Sequence, residues 1–340
     1  MNLDELNAIA RKMVAPGKGL LAADESTSTI GKRFDAINTP NTEENRRDYR
    51  EFMFRTTAAM KGHISGVILY DETIRQKAKD GSTLVSIIEA AGAIPGIKVD
   101  AGTSKMPAFP GELVTLGLDG LRERFAEYHK LGARFSKWRA VIDIAPGIPT
   151  YGAILANAQG MARYAALAQE NDIVPIVEPE VLMDGDHTAE RCEEVTTLVH
   201  EIFFEHLFHA RVALEGIILK PNMIVSGKKC AKQASVQEVA ERTLKVLKRT
   251  TPSAVPGIAF LSGGQSDLDA TQHLDAMNKL GGNPWPLTFS YGRALQAAPQ
   301  KAWGGKPENV KAGMDAFAHR ALMNSEAALG KWKKADDKAA

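Results

Sequence analysis

Charged side chains recur where short apolar, β-branched runs of this chain come to an end. Asp24 and Glu25 close LLAADE, Lys98 sits in GIKVD, Lys137 and Arg139 in SKWRAVID, Glu178 and Glu180 in VPIVEPE, and Lys220 in GIILKPN. If these runs are strands, alternate side chains share a face. Lys137 then shares a face with Arg139, Glu178 with Glu180 across Pro179, and Lys220 with Ile218. Lys220 is the most demanding of these, since its run is otherwise as apolar as a buried strand. Burial beside hydrocarbon and neighbouring cations both disfavour an ammonium ion, so a lysine placed this way has a neutral amine able to attack a carbonyl. Lys137 and Arg139 supply the positive field. Asp24, Glu178 and Glu180 balance the cations and offer proton donors and acceptors. Rim charges held in ion pairs would account for any one of these residues, but poorly for all five runs together.

Two Gly-rich turns add a second kind of chemistry. Leu261, Ser262, Gly263, Gly264 and Gln265 follow one apolar run, and Ser290, Tyr291, Gly292 and Arg293 follow the next. Glycine lets backbone N–H groups come close to a phosphate, and Arg293 would add a charged fork.

The scaffold that must hold these groups reads as strands alternating with helices. Eight strand candidates run over 19–25, 65–71, 96–102, 133–143, 172–181, 216–222, 257–263 and 286–292, and most gaps between them carry a 3.6-residue helical period. Several helices have their own start and stop signals. Ser235 with Glu238, and Asn2 with Glu5, have capping-box spacing; Pro307 suits a first helical turn, and Gly330 closes the last helix. Alternation of this kind implies parallel pairing with right-handed crossovers, and eight units close a (β/α)8 TIM barrel. In such barrels the active site lies at the carboxyl ends of the strands, and a phosphate is often held after the seventh and eighth. An open doubly wound sheet is the rival. The first strand lacks its GxGxxG turn, and no Gly-, Ser- or Pro-rich linker divides the chain. One barrel domain over 1–340 is expected, with a frayed tail from about 331 in KWKKADDKAA.

Composition narrows the partners. The 340 residues are 44% hydrophobic and 24% charged, which are globular values. With 42 Lys plus Arg against 41 Asp plus Glu, the formal charge of +1 gives no global field for DNA, RNA or an anionic membrane. Neither nucleic acid nor membrane is an expected partner. Cys192 and Cys230 lack CxxC spacing and read as reduced thiols, although one disulfide is compatible with the sequence. MNLDELNAIARKMV is neither a signal peptide nor a membrane span, so a soluble cytoplasmic protein is expected. His206 and His209 have i, i+3 spacing in EIFFEHLFH, with His200 upstream, but a crossover helix is far from the strand ends and no metal site is expected there. Trp138, Trp285, Trp303 and Trp332 are scattered and read as core.

The strings LLAADES, GIKVD, SKWR, VPIVEPE, LKPNM, FLSGGQS and TFSYGRALQ, in this order, closely resemble class I fructose-bisphosphate aldolase, the Schiff-base type that uses no metal. The resemblance runs from about Leu3 to about Lys333. It implies reversible cleavage of fructose 1,6-bisphosphate into dihydroxyacetone phosphate and glyceraldehyde 3-phosphate, in glycolysis and gluconeogenesis, by a homotetramer without cofactor. It further implies that Lys220 is the Schiff-base lysine, Glu178 the proton-transfer glutamate with Glu180 in support, and Asp24, Lys137, Arg139 and Lys98 the remaining site charges. The phosphate contacts fall on Ser262, Gly263, Gly292 and Arg293 at one end of the sugar, and on Ser26, Arg33 and Thr29, where many relatives have serine, at the other. Animal members end in a tyrosine that helps the final proton exchange; no Tyr follows Tyr291 here, which leaves the proton route of the late half-reaction open while cleavage need not change. A transaldolase, a single-phosphate aldolase, or a non-catalytic scaffold on the same fold are the alternatives.

Overall fold

The computed structural model describes residues 1–337. Eight parallel strands close into a barrel: β1 (Gly19–Ala23), β2 (Ile64–Leu69), β3 (Ile94–Lys98), β4 (Phe135–Ile142), β5 (Val174–Val181), β6 (Ile218–Leu219), β7 (Ile258–Phe260) and β8 (Leu287–Tyr291). Each pairs with its neighbour in sequence, and β1 meets β8 with Leu20 opposite Ser290 and Leu21 opposite Tyr291. The expected (β/α)8 architecture is what the chain adopts.

Side-chain alternation divides every strand between two cores. One parity faces outward and packs with Phe34, Tyr49, Trp138, Tyr164 and Trp303 under the surrounding helices. The other faces inward, where Leu20, Ala22, Ile68, Ile94, Phe135, Val174, Ile176, Ile218 and Ala259 fill the barrel. The helix Leu3–Met13 plugs the amino end of this interior with Leu6, Ala10 and Met13, all fully buried. Room for the Phe135 ring comes from Gly96, where a Cβ would lie 2.3 Å from the ring. Continuing each inward column toward the carboxyl end leads from hydrocarbon to charge: Leu20, Ala22, Asp24 on β1; Phe135, Lys137, Arg139 on β4; Ile176, Glu178, Glu180 on β5; Ile218, Lys220 on β6. The packing that fills the barrel therefore also aims the site.

The strand boundaries differ from expectation where the backbone cannot pair. The sixth run was expected over 216–222, but Leu214–Gly216 forms a 3-10 turn and pairing ends at Leu219. Pro221 has no N–H to donate, and the Asn222 side chain takes the place of a ladder bond by accepting the Val181 N–H at 3.0 Å. The seventh run ends at Phe260 rather than Gly263, leaving Ser262–Gly264 free as a turn. After β3 the chain inserts an antiparallel hairpin, Thr103–Lys105 with Leu113–Thr115, that the strand count did not foresee.

The Ser235–Glu238 capping box forms in full. At Asn2 only half of it forms: the side-chain oxygen accepts the Glu5 N–H, while the Asn2 backbone N–H donates to Asp172 and Glu5 meets the Asn2 amide instead. Pro307 opens a 3-10 turn that leads into the helix Val310–Ala328, and Gly330 has the positive φ of 65° that ends it. The tail expected to fray from about 331 is docked as far as Asp337. Trp332 is buried, its backbone N–H donates to Asp275, its ring N–H donates to Asp337, and Asp337 pairs with Arg320 at 2.5 Å. A large apolar ring and a carboxylate with a buried arginine partner outweigh the polar composition around them.

Candidate active site

The barrel mouth gathers the expected charges into one continuous cluster. Lys220 follows β6 directly, and its backbone N–H donates to the Val177 carbonyl at 2.8 Å, which carries the inward parity one residue beyond the strand. Its Nζ lies 3.0 Å from Glu178 Oε1. The other oxygen of the same carboxylate, Oε2, lies 3.3 Å from Lys137 Nζ. Lys137 Nζ in turn sits 2.9 Å from Asp24 Oδ2, so the four side chains run Lys220, Glu178, Lys137, Asp24 across β6, β5, β4 and the end of β1. Lys137, Glu178 and Lys220 are each only 5% exposed, so these contacts operate largely out of water.

Burial alone would raise the Asp24 carboxyl, but the charges of Lys137 and Lys220, together with the hydrogen bond from Lys137, overcome it and hold the group at about 2. Burial would likewise strip the proton from Lys137, yet Asp24, Glu178 and Asp100 push it well above the usual lysine range. At neutral pH Lys137 is therefore a cation and Asp24 an anion. Glu178 separates Lys220 from Lys137, so the nearest charge to Lys220 is a carboxylate and not the cation that the sequence placed beside it.

Arg139 is engaged elsewhere. Its Nε donates to Glu180, the next inward residue of β5, and the guanidinium remains half exposed at the rim. Lys98 stands directly opposite Lys137 in the β3–β4 register and pairs with Asp100 at 2.6 Å. Asp100 joins this cluster without having been singled out from the sequence; it lies two residues beyond Lys98 in GIKVD, on the same parity, and that spacing was the available signal.

The two Gly-rich turns meet at the rim. The Arg293 guanidinium donates to the Gly263 carbonyl, Ser262 is buried at the end of the β7 run, and Gly292 precedes the helix Arg293–Trp303. On the β1 side, Ser26 caps the helix Thr27–Asp35, and its hydroxyl lies 3.0 Å from that of Thr29. Arg33 departs from the expected division into two ends. Its Nη1 donates to Glu25 at 2.5 Å, and its Nη2 lies 3.8 Å from where a Cβ on Gly292 would sit, so it belongs to the same rim sector as Gly292.

Glu25 is the centre of a buried network with no sequence signal. The Gln296 amide donates to its Oε1 at 2.7 Å, and Arg50, fully buried in the helix Glu43–Arg55, donates to its carbonyl at 2.8 Å. His200, His206 and His209 all lie on the outer helix Ala189–His209, away from this cluster. His200 is buried against Thr250, His206 faces the Ile202 carbonyl, and His209 pairs with Glu205. Among the described residues no group of three or more His, Cys, Asp or Glu is placed to hold a metal ion. Cys192 and Cys230 are free thiols, and all four tryptophans are buried.

Comparison with known proteins places the chain in a family. The family model described as "Glycolytic: Fructose-bisphosphate aldolase class-I" matches residues 5–340. The chain is 55% identical over 334 residues to the "Probable fructose-bisphosphate aldolase class 1" of Xanthomonas campestris pv. campestris, covering 98% of this chain and 100% of that protein. It is 52% identical to "Fructose-bisphosphate aldolase 6, cytosolic" of Arabidopsis thaliana, covering 97% and 92%. Among solved structures, fructose-bisphosphate aldolase of Plasmodium falciparum, in a ternary co-crystal with TRAP and a small-molecule inhibitor, superposes with a TM-score of 0.95 at 48% identity, covering 97% of this chain and 96% of that one. Similarity this close, sustained along nearly the whole chain, makes it a member of the class-I fructose-bisphosphate aldolase family.

Proposed function

We propose that the chain cleaves fructose 1,6-bisphosphate reversibly to dihydroxyacetone phosphate and glyceraldehyde 3-phosphate through a Schiff base on Lys220. The observation that supports this best is the Glu178 carboxylate standing between two buried lysines, 3.0 Å from Lys220 and 3.3 Å from Lys137. A lysine nucleophile must first lose a proton, and Glu178 Oε1 is the acceptor within reach. The freed amine adds to the C2 ketone. Lys137, kept cationic by Asp24, steadies the charge that develops on the carbonyl oxygen. The adduct nitrogen gives up one proton to that oxygen, Glu178 returns its own proton to the hydroxyl so formed, water leaves, and a protonated imine remains. That iminium is an electron sink. When Glu178 takes the proton of the C4 hydroxyl, the C3–C4 bond breaks, its electron pair moves into an enamine on Lys220, and the aldehyde departs. Asp24 orients the amine of Lys137 or the substrate hydroxyl.

Around this centre, Lys98, Arg139 and Glu180 bind the sugar chain, while Ser262, Gly263, Gly292 and Arg293 hold one phosphate, with Arg33 in the same rim sector, and Ser26 and Thr29 hold the other. Arg33 must then turn from Glu25 toward its ligand. A cytoplasmic location follows the cytosolic relatives, and no described helix is long and apolar enough to cross a membrane. A homotetramer is in keeping with Leu198 and Phe208, both exposed on the outer helix Ala189–His209, and light scattering tests it.

The test is chemical. Borohydride added with dihydroxyacetone phosphate should fix a three-carbon adduct on the peptide that carries Lys220. An adduct on Lys137 or Lys98, or none, would overturn the assignment.

A further inference from the structure

We propose that Lys228 is an additional phosphate-binding cation of the sugar site, kept in reserve by Asp184 while the site is empty. The inference rests on the reading above, in which Gly263, Gly292 and Arg293 seat one phosphate.

Three loops at the barrel mouth converge on the turn after β7. The loop after β5 and the loop after β6 are joined by backbone bonds, with the N–H of Gly227, Lys228 and Lys229 donating to the carbonyls of His187, Met183 and Gly185. This pairing lays the Lys228 side chain across Gly264. A Cβ built on Gly264 would fall 2.1 Å from both Cε and Nζ of Lys228, so only glycine leaves that seat open. The Gly264 N–H itself faces Met183 Sδ at 3.3 Å. A thioether is a weak acceptor, so this N–H is a donor that an anion can claim at small cost.

The charge of Lys228 is countered by one exposed partner, Asp184, at 2.7 Å. Asp184 is held below the usual carboxylate range, first by the hydrogen bond from Lys228 and then by the charges of Lys228, Arg293 and Lys229. The Arg293 guanidinium already reaches the Gly263 carbonyl on the same turn. A phosphate dianion on this turn therefore finds Arg293 and Lys228 within one cationic sector. An exposed pair such as Lys228–Asp184 costs little to break, and its lysine exchanges a carboxylate for a doubly charged ligand. Among the described residues Lys228 pairs with Asp184 and not with Lys220, Glu178, Lys137 or Asp24, so its contribution is to binding and not to the covalent steps.

The experiment compares wild type with Lys228→Met, Lys228→Arg, Asp184→Asn and Gly264→Ala. Binding of inorganic phosphate is followed by titration, and KM and kcat for fructose 1,6-bisphosphate are measured at low and high salt. Lys228→Met should weaken phosphate binding and raise KM about three- to tenfold, with kcat little changed and a shallower salt dependence. Lys228→Arg should restore both. Asp184→Asn should shift them in the opposite direction, and Gly264→Ala, which displaces the lysine head from a backbone of ordinary φ, should resemble Lys228→Met. Phosphate binding and KM unchanged in Lys228→Met would overturn the proposal, as would Asp184→Asn weakening binding like Lys228→Met, the mark of a structural tether. Phosphate titration does not depend on turnover. If no form of the protein cleaves the sugar while Lys228→Met still loses phosphate affinity, the proposed function fails and the phosphate site stands.

Discussion

Lys98 and Lys137 stand directly opposite each other on adjacent strands, both inward, and one carboxylate, Asp100, is shared between them, while Asp24 and Glu178 also balance Lys137. Asp100 lies 2.6 Å from Lys98 Nζ and 3.9 Å from Lys137 Nζ. Like charges in register are destabilising, and inside a barrel they are poorly screened. Asp100→Asn removes the negative charge while keeping the shape. It should lower stability by about 1–3 kcal/mol, since it weakens charge-assisted contacts of a buried lysine. It should also lower kcat/KM for the bisphosphate, because Lys98 and Lys137 would move apart. Denaturant midpoints together with steady-state rates check both effects; wild-type values for the two would show that Asp100 does not hold the lysines.

Replacing the proposed nucleophile is a sharper test. Lys220→Met nearly conserves volume, so the fold should persist. Glu178 keeps Lys137 as a partner at 3.3 Å and is not left as an isolated buried charge. Turnover should fall at least about a thousandfold, as expected when a covalent route is removed. A correctly folded variant with near-normal turnover would sink the Lys220 assignment.

Acid should unfold the protein in two stages. Burial depresses both His200 and His273 to about 4. Between their usual 6.5 and that value the unfolded chain binds protons that the folded chain refuses, so stability falls as pH drops through this window. Asp24 acts lower. Its carboxyl is held at about 2 against a usual 3.8, so the contribution it makes above pH 3.8 is lost as pH falls toward 2. That contribution is on the order of 2 kcal/mol. Urea midpoints from pH 7 to 2 should show both losses, with His200→Gln flattening the first and Asp24→Asn the second. A stability curve of unchanged shape in Asp24→Asn would contradict the depressed carboxyl.

The proposed chemistry calls on no metal, so EDTA should leave turnover unchanged. Activity lost in chelator and restored by zinc would mean a different reaction. Competition among fructose bisphosphate, fructose 1-phosphate and sedoheptulose bisphosphate for the same turnover separates the proposed substrate from those of a single-phosphate aldolase.

The barrel was legible because two independent patterns agree. Apolar runs alternate with helical periods, and within each run the residue parity that buries Ile176 or Ile218 also carries Glu178 or Lys220 to the mouth. What was not legible depends on contacts between distant segments. The Thr103–Lys105 strand is short, polar and exposed, so it has no hydrophobic period to reveal it. Arg50 sits in EENRRDYREFMFR, where nothing distinguishes a fully buried arginine from its solvated neighbours. The true neighbour of Lys220 was missed for the same reason. Parity says that Lys137, Glu178 and Lys220 face inward, but the cross-strand stagger decides that Glu178 comes between the two lysines.

The pairing of Leu20 with Ser290 and Leu21 with Tyr291 joins the earliest strand to the latest. The strand that presents Asp24 to Lys137 is thereby held on both sides, by β2 and by the seam where the cylinder shuts. During synthesis the ribosome releases the final strand long after the first, so until that ring is complete the Asp24 partner of Lys137 is anchored along one strand edge alone, while Glu178 and Asp100 already flank the ammonium. A chain lacking only its last strand would thus carry Asp24, Lys137, Glu178 and Lys220 on an open sheet whose Asp24 edge is unpaired.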